Sequence, residues 1–484
     1  MGKKRRHMPP FEGEVTGIFK GGCGIGTTPD GQPYKVKFGA PGSRLQLHPM
    51  GKRKGVWQAR KVAMIRPPVH YQTPKCSAFG LCGGCSLQEL KLEEQRRVKE
   101  DYGLSEVANG LGWSVETLRE RVTIHPMVGA KEGYEYRNKV ELSFGPRRFL
   151  SEEAHGRGEP ITGRFLGFHA SGRFDRVAEV SRCWLVGEGT DALIRTLGKE
   201  VLTGSDAPLW DSRSHEGFWR HALFRAGRAT GEHLVALYTT SDTQWSEDVE
   251  RVANALLATS MPNGERVNGV IWIHNDGVAD VARGTVARVW GKEYLEETLQ
   301  GLKFRLSVDS FFQTSTTGAE VLYDVIRQAC GKGYRTLYDL YCGTGSIGLA
   351  LAGCARSIVG VEEVESSVLD ARENARRNGI ENTSYRASKM KDALDVLAGE
   401  LEEDVLVVDP PRVGLHPQVS NQIAGLHAQR LVYVACKPGS LGRDARIFLG
   451  RGWELTDLWS VDLFPQTGHL EMVGAFRRRD RDGT

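Results

Sequence analysis

From Thr336 onward, short apolar runs alternate with segments of helix length, and this alternation constrains the fold more than any other feature of the chain. It is typical of βαβ units, in which successive strands join one mainly parallel sheet that helices cover. We therefore predict an α/β, Rossmann-like domain. Its strands are expected at residues 337–340, 358–361, 405–408 and 431–435, with a last pair at 455–462 and 470–476.

A glycine-rich turn follows the first of these strands. The motif Tyr341-Cys-Gly-Thr-Gly345 opens a helix, and its glycines permit a tight turn and a close approach of backbone to a ligand. The next strand ends at Glu362, whose carboxylate can accept hydrogen bonds from both hydroxyls of a ribose. A nicotinamide enzyme would show the same two features, so the turn alone predicts only a nucleotide-type pocket.

The strand at 405–408 ends in Asp409-Pro-Pro-Arg412, at the sheet edge where ligands bind in folds of this class. Each proline removes a backbone donor, which packing alone does not favour at the end of a buried strand. A turn closed by Asp409 is the structural alternative. Upstream, Ser310-Phe-Phe-Gln313 precedes a helix that should start near Thr317, and the Gln313 amide is expected to reach the same pocket.

The following strand runs into Tyr433-Val-Ala-Cys436-Lys-Pro438, which places a thiol at the ligand edge of the sheet. The neighbouring Lys437 should favour the thiolate, which is the reactive form of cysteine. Near the end of the chain, alternation along the last strand would point His469 and Glu471 to one face. The alternatives are simple burial of Cys436 and an ordinary salt bridge for Glu471.

These motifs, together with Asp339-Leu-Tyr-Cys-Gly-Thr-Gly345 and His469-Leu-Glu471, resemble those of the RNA uracil-5-methyltransferases over nearly the whole chain. The resemblance implies a class I methyltransferase domain that binds S-adenosylmethionine and methylates carbon 5 of a uridine. It also implies roles for six residues: Gln313, Tyr341, Glu362 and Asp409 bind the methyl donor, Cys436 is the nucleophile and Glu471 is the base. The sequence departs from the family at Lys437, where the family usually has Asn after the nucleophile.

A cysteine cluster, Cys76-Ser-Ala-Phe-Gly-Leu-Cys82-Gly-Gly-Cys85, has the C-x5-C-x2-C spacing of a metal site. Its spacing alone does not separate zinc from an iron-sulfur cluster, and a disulfide framework is not expected in a cytoplasmic protein of this size. Subgroups of the methyltransferase family carry a 4Fe-4S cluster on this spacing plus a distant cysteine. By that resemblance, Cys183 is the fourth ligand and the cluster is structural.

The N-terminal part of the chain is strongly basic. Residues 1–66 contain fourteen Lys and Arg against three Asp and Glu, a net charge of +11, whereas the whole chain sums to +4. Short apolar runs separated by glycine turns predict a small all-β barrel there, which resembles the OB-like TRAM domain of the family. Such a charge suits an RNA backbone, although a solvated tail is the alternative. The segment Tyr134–Lys139 resembles a family segment near the RNA, and its aromatic and basic side chains suit stacking.

The sequence thus predicts three domains: a TRAM-like RNA-binding domain at 1–68, a central α+β domain with the cysteine cluster at 69–300, and the methyltransferase domain at 301–484. Part of segment 86–125 is expected to pack on the last of these. A helix is predicted near 247–257 and central strands at 140–144 and 270–273. A helix carrying Leu87, Leu90, Leu92 and Val98 on one face is also predicted.

No apolar stretch approaches the roughly 18 residues that span a membrane, so a soluble, cytoplasmic protein without an obligate protein partner is expected. The expected partner is RNA, with 23S ribosomal RNA preferred over transfer RNA because cluster-bearing family members mostly resemble enzymes of the large ribosomal subunit. Two other functions remain open. One is methylation of an exocyclic amine, which also uses an acidic-Pro-Pro strand end, and the other is RNA binding by a degenerate methyltransferase fold.

Overall fold

The computed structural model describes residues 8–397 and 404–479. The other segments are not described, and they include four of the basic residues that the sequence assigns to RNA binding: Lys3, Lys4, Arg5 and Arg6. Within the described residues, no helix is both long and apolar enough to cross a membrane.

The first part of the chain forms a six-stranded sheet in the order β1-β5-β6-β4-β3-β2. Apolar side chains that include Tyr34, Leu45 and Leu47 are fully buried in a core of its own. A short 3-10 turn at Lys20–Gly22 joins β2 to β3. The strands are β1 (Phe11–Glu14), β2 (Gly17–Phe19), β3 (Cys23–Thr27), β4 (Pro33–Val36), β5 (Arg44–Arg53) and β6 (Val56–Arg66).

The next segment contains α1 (Leu92–Leu111), α2 (Val115–Arg121) and the short strands β7 (Thr123–Ile124) and β8 (Val128–Gly129). The prediction of one helix through Leu87, Leu90 and Val98 is wrong, because α1 begins only at Leu92. Leu87 and Leu90 are nevertheless fully buried with Val98 against Ile18 of the first sheet. The apolar residues of this segment therefore form a contact with the first sheet as well as part of a helix face.

The middle of the chain forms a seven-stranded sheet in the order β11-β10-β9-β12-β13-β14-β15. The predicted strands and the predicted helix of this region are confirmed within β9, β14 and α5. Short 3-10 turns lie at Thr243–Trp245 and Pro262–Gly264. The elements are β9 (Lys139–Arg147), α3 (Glu152–Gly156), β10 (Thr162–His169), β11 (Val177–Glu179), α4 (Glu188–Leu202), β12 (Trp219–Gly227), β13 (Glu232–Thr239), α5 (Ser246–Leu257), β14 (Arg266–His274) and β15 (Thr285–Gly291).

After the hairpin β16 (Tyr294–Leu299) and β17 (Leu302–Ser307), the chain alternates helices and strands as predicted. The helices are α6 (Thr316–Cys330), α7 (Ser346–Ala350), α8 (Glu365–Arg377), α9 (Met390–Leu397), α10 (Pro417–Gly425) and α11 (Pro438–Leu449). The strands are β18 (Tyr334–Leu340), β19 (Ala355–Glu362), β20 (Thr383–Ala387), β21 (Val405–Val408), β22 (Arg430–Ala435), β23 (Trp453–Asp462) and β24 (Glu471–Arg478).

These strands form one sheet in the order β20-β19-β18-β21-β22-β24-β23-β7, and β8 also pairs with β23. Neighbours from β20 to β22 are parallel, and β24 is antiparallel to both β22 and β23. The Rossmann-like sheet is thus confirmed. From β18 the chain first adds β19 and β20 on one side of the sheet and then β21 and β22 on the other. The crevice between β18 and β21 is therefore a topological switch point, where such sheets bind ligands.

Helix α1 packs on α11 of this sheet. Apolar side chains of α1, such as Leu104 and Val107, share one buried cluster with Leu441 and Phe448. A Cβ atom on Gly110 would lie only 2.7 Å from the backbone of Gly442, so the two helices approach at backbone distance.

Candidate active site

A hydrogen bond joins the helix after the glycine turn at 341–345 to the strand before the turn. The backbone N–H of Gly348 donates a hydrogen bond to Oδ2 of Asp339 at 2.8 Å. Asp339 is fully buried, and burial raises the pKa of its carboxyl to about 7. Tyr341 adopts a left-handed backbone with φ of 67°, as do Gly343 and Gly345. The tyrosine conformation has no sequence signature, since a non-glycine residue rarely adopts it.

Glu362 closes the far side of this turn. Its Oε2 accepts the Gly343 N–H at 3.2 Å, and its Oε1 accepts the N–H groups of Glu363 at 2.9 Å and Val364 at 3.0 Å. These three bonds fix the carboxylate at the carboxyl end of β19, where it stays half-buried. Oε2 accepts only one of these bonds and retains a second lone pair, so Glu362 can still accept a hydrogen bond from a ligand.

The segment Ser310–Gln313 lies against the same turn. The hydroxyl of Thr344 donates to the Phe311 carbonyl at 3.3 Å, and the amide of Asn138 donates to the Gln313 carbonyl at 3.0 Å. The helix that follows, α6, begins at Thr316, one residue before the predicted start. The structure therefore brings Gln313, Tyr341 and Glu362 to one end of the sheet.

Asp409 follows β21 directly and joins this group across the switch point. Burial raises the pKa of its carboxyl to about 7, and the negative charge of Asp339 acts in the same direction. Three neighbouring strands of the sheet, β19, β18 and β21, thus bring carboxyl groups to this edge: Glu362, Asp339 and Asp409. Since a cation would relieve their mutual repulsion, the crevice suits a positively charged ligand such as a sulfonium.

Cys436 lies directly opposite Glu471. Strands β22 and β24 are antiparallel, and their last paired residues at this edge are Ala435 and Met472. The next residue of each strand, Cys436 and Glu471, therefore continues the same register beyond the ladder. Glu471 is 4% exposed and Cys436 is half-buried. The thiol and the carboxyl share one corner of the site.

The charges around Cys436 differ from the predicted ones. Burial raises the pKa of its thiol to about 11, and the charges of Glu471 and Asp409 add to this effect. The cation that lowers the pKa is Arg412, of the Asp-Pro-Pro-Arg motif. Lys437, predicted to activate the thiol, is the residue before α11 and makes no side-chain capping bond there. Arg412 has no sequence signature for this role, because only the fold brings it next to the thiol.

Glu471 and His469 have opposite pKa shifts. Burial raises the pKa of Glu471 well above its ordinary value, with a further contribution from Asp409. Burial lowers the pKa of His469 to about 4, and the positive charges of Arg412, Lys99 and other basic residues lower it further. Because β24 begins only at Glu471, the strand alternation invoked for both residues does not extend to His469, which lies in the preceding loop.

The four cysteines of the predicted cluster line one cavity of about 470 Å³. Burial raises the pKa values of all four thiols, and the four interact electrostatically with one another. Among the described residues, no group of three or more Cys, His, Asp or Glu side chains could hold a metal ion as it stands. All nine cysteines are free thiols. The four cysteines that line the cavity are Cys76, Cys82, Cys85 and Cys183.

The segment Tyr134–Lys139 is only partly available to a ligand. Tyr136 is fully buried, and its hydroxyl donates to the Pro465 carbonyl at 3.0 Å, so this ring cannot stack on a base. Tyr134 is half-buried, with the ammonium of Lys75 5.2 Å from its ring centre. The prediction of aromatic stacking by this segment is therefore wrong for Tyr136.

Comparison with known proteins identifies the relatives of this chain. The family model described as tRNA (uracil-5-)-methyltransferase matches residues 274–479. A protein of Caldanaerobacter subterraneus named as an RNA methyltransferase is 34% identical, covering 95% of this chain and 96% of the relative. One of Porphyromonas gingivalis is 32% identical over 90% of this chain and 94% of the relative. The fold resembles the crystal structure of Pyrococcus abyssi tRNA (uracil-54, C5)-methyltransferase in complex with S-adenosyl-L-homocysteine, with a TM-score of 0.71 and 21% identity over 96% of this chain and all of that one.

Proposed function

This chain belongs to the RNA uracil-5-methyltransferase family, and we propose that it methylates carbon 5 of a uridine in 23S ribosomal RNA through a covalent adduct with Cys436. The observation that carries the proposal is the placement of Cys436 opposite Glu471, beside Asp409. Methylation of an exocyclic amine would need the acidic strand end but neither the thiol nor the facing carboxyl.

The reaction needs both groups because carbon 5 of uracil is too weak a nucleophile to attack a sulfonium methyl. The Cys436 thiol loses its proton to water, its sulfur bonds to carbon 6, and the displaced electron pair moves to oxygen 4 as an enolate. Carbon 5 then takes the methyl group, and S-adenosylhomocysteine leaves. Finally a base removes the proton from carbon 5, and the bond between carbon 6 and sulfur breaks.

Glu471 fits the last step. A carboxylate whose pKa is raised by burial binds a proton more tightly than an exposed one, so it is a better acceptor for the proton of carbon 5. His469 is the rival base, but its lowered pKa makes it the weaker proton acceptor. Asp409 and Glu362 are proposed to bind the methyl donor, together with Gln313 and Tyr341.

Nearby positive charge must favour loss of the Cys436 proton, because a thiol with a pKa of about 11 is protonated at neutral pH. Arg412 supplies one such charge in the free protein. The sulfonium of the methyl donor, held near Asp409, would supply a second. The proposed order of events is therefore donor binding first and thiolate addition afterwards, since the donor's charge favours the thiolate.

We further propose that Cys76, Cys82, Cys85 and Cys183 hold a 4Fe-4S cluster. A single zinc ion would require thiolate sulfurs about 2.3 Å from one centre. All four thiols instead surround a cavity of about 470 Å³, which suits a larger centre with four cysteine ligands. When bound, such a cluster would supply a rigid structural crosslink among these segments.

The domain division at 1–68, 69–300 and 301–484 remains a proposal. The packing of α1 on α11 and the pairing of β7 and β8 with β23 argue that residues 92–129 belong with the methyltransferase domain. The basic first sheet is proposed to bind the RNA backbone, as its charge suggests.

Mapping of 5-methyluridine in RNA from a deletion strain tests the function and the substrate together. Loss of one 5-methyluridine from 23S ribosomal RNA, restored by the wild-type gene, is the expected result. Loss from transfer RNA instead would support the alternative that the fold neighbour's substrate suggests. Unchanged 5-methyluridine in both RNAs would reject uracil methylation.

A further inference from the structure

The loop between β23 and β24 carries His469 and ends at Glu471, and Gln466 is its most heavily bonded residue. Gln466 is 1% exposed and has a left-handed backbone with φ of 68°. A non-glycine residue holds this conformation only where surrounding contacts determine it. Every polar group of Gln466, in both backbone and side chain, has a partner from outside the loop.

Helix α1 provides the first set of partners. Gln95 and Gln466 form a reciprocal pair: the side-chain amide of Gln95 donates to Oε1 of Gln466 at 2.9 Å, and its Oε1 accepts the backbone N–H of Gln466 at 2.8 Å. Gln95 is fully buried. One turn further along α1, Lys99 donates to Oδ1 of Asp462 at 2.7 Å and to the Phe464 carbonyl at 2.9 Å. The loop is thus fixed on α1 at two points.

The cysteine-rich segment provides the second set. The backbone N–H groups of Ser86 and Leu87, the two residues after Cys85, donate to the Gln466 carbonyl at 2.9 and 3.0 Å. In the same segment, Oε1 of Gln88 accepts the backbone N–H of Cys76 at 3.1 Å. Gln88 also hydrogen bonds to the thiol of Cys85, which opposes the rise in the pKa of that thiol. These contacts of Gln88, Ser86, Leu87 and Gln466 form a short path of hydrogen bonds from the cysteine cavity to the loop between β23 and β24.

We propose that Gln466 is a positioning residue for Glu471, and that through it the cysteine-rich segment sets the position of the base. The proposal rests on the function proposed above, in which Glu471 acts after methyl transfer. It predicts a defect confined to one step: loosening the path should displace the carboxylate and slow release of the methylated product. Methyl transfer itself, which depends on Cys436 and the donor pocket, should be nearly unchanged.

Two variants loosen the path by different means. Gln95→Ala removes the reciprocal pair and leaves the loop backbone intact. Gln466→Gly removes the side-chain half of the pair and the bond from the Gln466 amide to the Gly133 carbonyl, while the backbone N–H is kept. Glycine also tolerates the left-handed backbone. Gln72→Ala is the matched control, since Gln72 donates a side-chain bond to the Gln88 carbonyl of the same segment but not to the loop. Each is compared with wild type by single-turnover reaction with labelled donor.

We expect release of the methylated adduct to slow by about tenfold to a hundredfold in Gln95→Ala and Gln466→Gly, because small displacements of a reacting group cost this much. Methyl transfer should stay within about twofold, and Gln72→Ala should match wild type in both steps. Cys85→Ala should reproduce the release defect. Its effect should not add to that of Gln466→Gly in the double variant, since both act on one path.

Hydrogen exchange gives a readout independent of activity. The amides of Ser86 and Leu87 should exchange faster in Gln95→Ala and Gln466→Gly than in wild type, because coupling between two sites is reciprocal. Release at the wild-type rate, or a proportional loss of methyl transfer and release, would overturn the positioning role. If wild type itself forms no adduct, the proposed covalent function fails. Unchanged hydrogen exchange at Ser86 and Leu87 in both variants would separately overturn the connection between the cysteine-rich segment and Gln466.

Discussion

Cys436 and Glu471 occupy facing positions one step beyond the last paired residues of β22 and β24, and the carboxylate raises the pKa of the thiol. Each group therefore affects the protonation of the other. The carboxyl itself is buried, and burial holds its pKa well above the ordinary value of a glutamate.

This pairing predicts how the thiol titrates. Removing the negative charge in Glu471→Gln should lower the pKa of Cys436 below about 11, whereas removing the positive charge in Arg412→Gln should raise it. The rate of alkylation by iodoacetamide against pH reports the thiolate fraction, with Cys436→Ala as the background. At pH 8, Glu471→Gln should react faster than wild type and Arg412→Gln more slowly. The opposite order would mean that other charges govern the thiol.

The assignment of the base predicts a trapped intermediate. Glu471→Gln should still add its thiolate to uracil and transfer the methyl group, because both events precede proton removal. Release should then slow by about 10² to 10⁴-fold. A methylated protein-RNA species should accumulate on denaturing gels with unmodified RNA and labelled donor. His469→Gln is the control and should not accumulate it, and the reverse result would exchange the two roles.

The cysteine cavity predicts a chromophore. Protein purified without oxygen should be brown, with iron and sulfide present and broad absorbance near about 400 nm. Cys183→Ala should lose most of this absorbance, while Cys354→Ala, a buried cysteine outside the cavity, should retain it. Zinc without iron or sulfide would reject the cluster, and a full spectrum in Cys183→Ala would reject the fourth ligand.

The basic first sheet predicts a salt-dependent contribution to RNA binding. The end of β5 and the turn that follows it expose Lys52, Arg53 and Lys54. Changing all three to Gln should weaken RNA binding and reduce the slope of log affinity against log salt by up to about 3, because fewer counterions are released. The triple change leaves the rest of the site undisturbed, whereas deleting the domain would not. Gly22 of this domain lies against Gly468 of the loop between β23 and β24. An unchanged affinity and salt slope would show that these cations do not touch RNA.

Much of the catalytic sheet could be predicted from sequence because its strands are buried and bounded by turn residues. The predicted strand at 405–408 matches β21 to the residue, and the motifs at the strand ends meet at one edge as expected. Strand β20 was missed, because Thr383–Ala387 at the sheet edge has one buried residue and no apolar run. Strands β7 and β8 are two residues long, which is too short for any periodic pattern.

The electrostatics of the site could not be predicted from sequence. Lys437 was predicted to activate the thiol because it is adjacent to Cys436 in the chain. Arg412 is 24 positions away, and it acts on Cys436 only because β21 and β22 are neighbours in the sheet. The role proposed for Gln466 was equally invisible, since its partners Gln95, Ser86 and Leu87 are remote in sequence.

The central claim, that Cys436 forms a covalent bond with the uracil, is tested most directly with RNA that carries 5-fluorouridine at the target. Fluorine at carbon 5 cannot be removed as a proton, so the methylated adduct should persist on a denaturing gel and map to Cys436 by mass spectrometry. Cys436→Ala should give neither adduct nor product, although it should still bind S-adenosylmethionine. Normal methylation of unmodified RNA by Cys436→Ala would contradict the account.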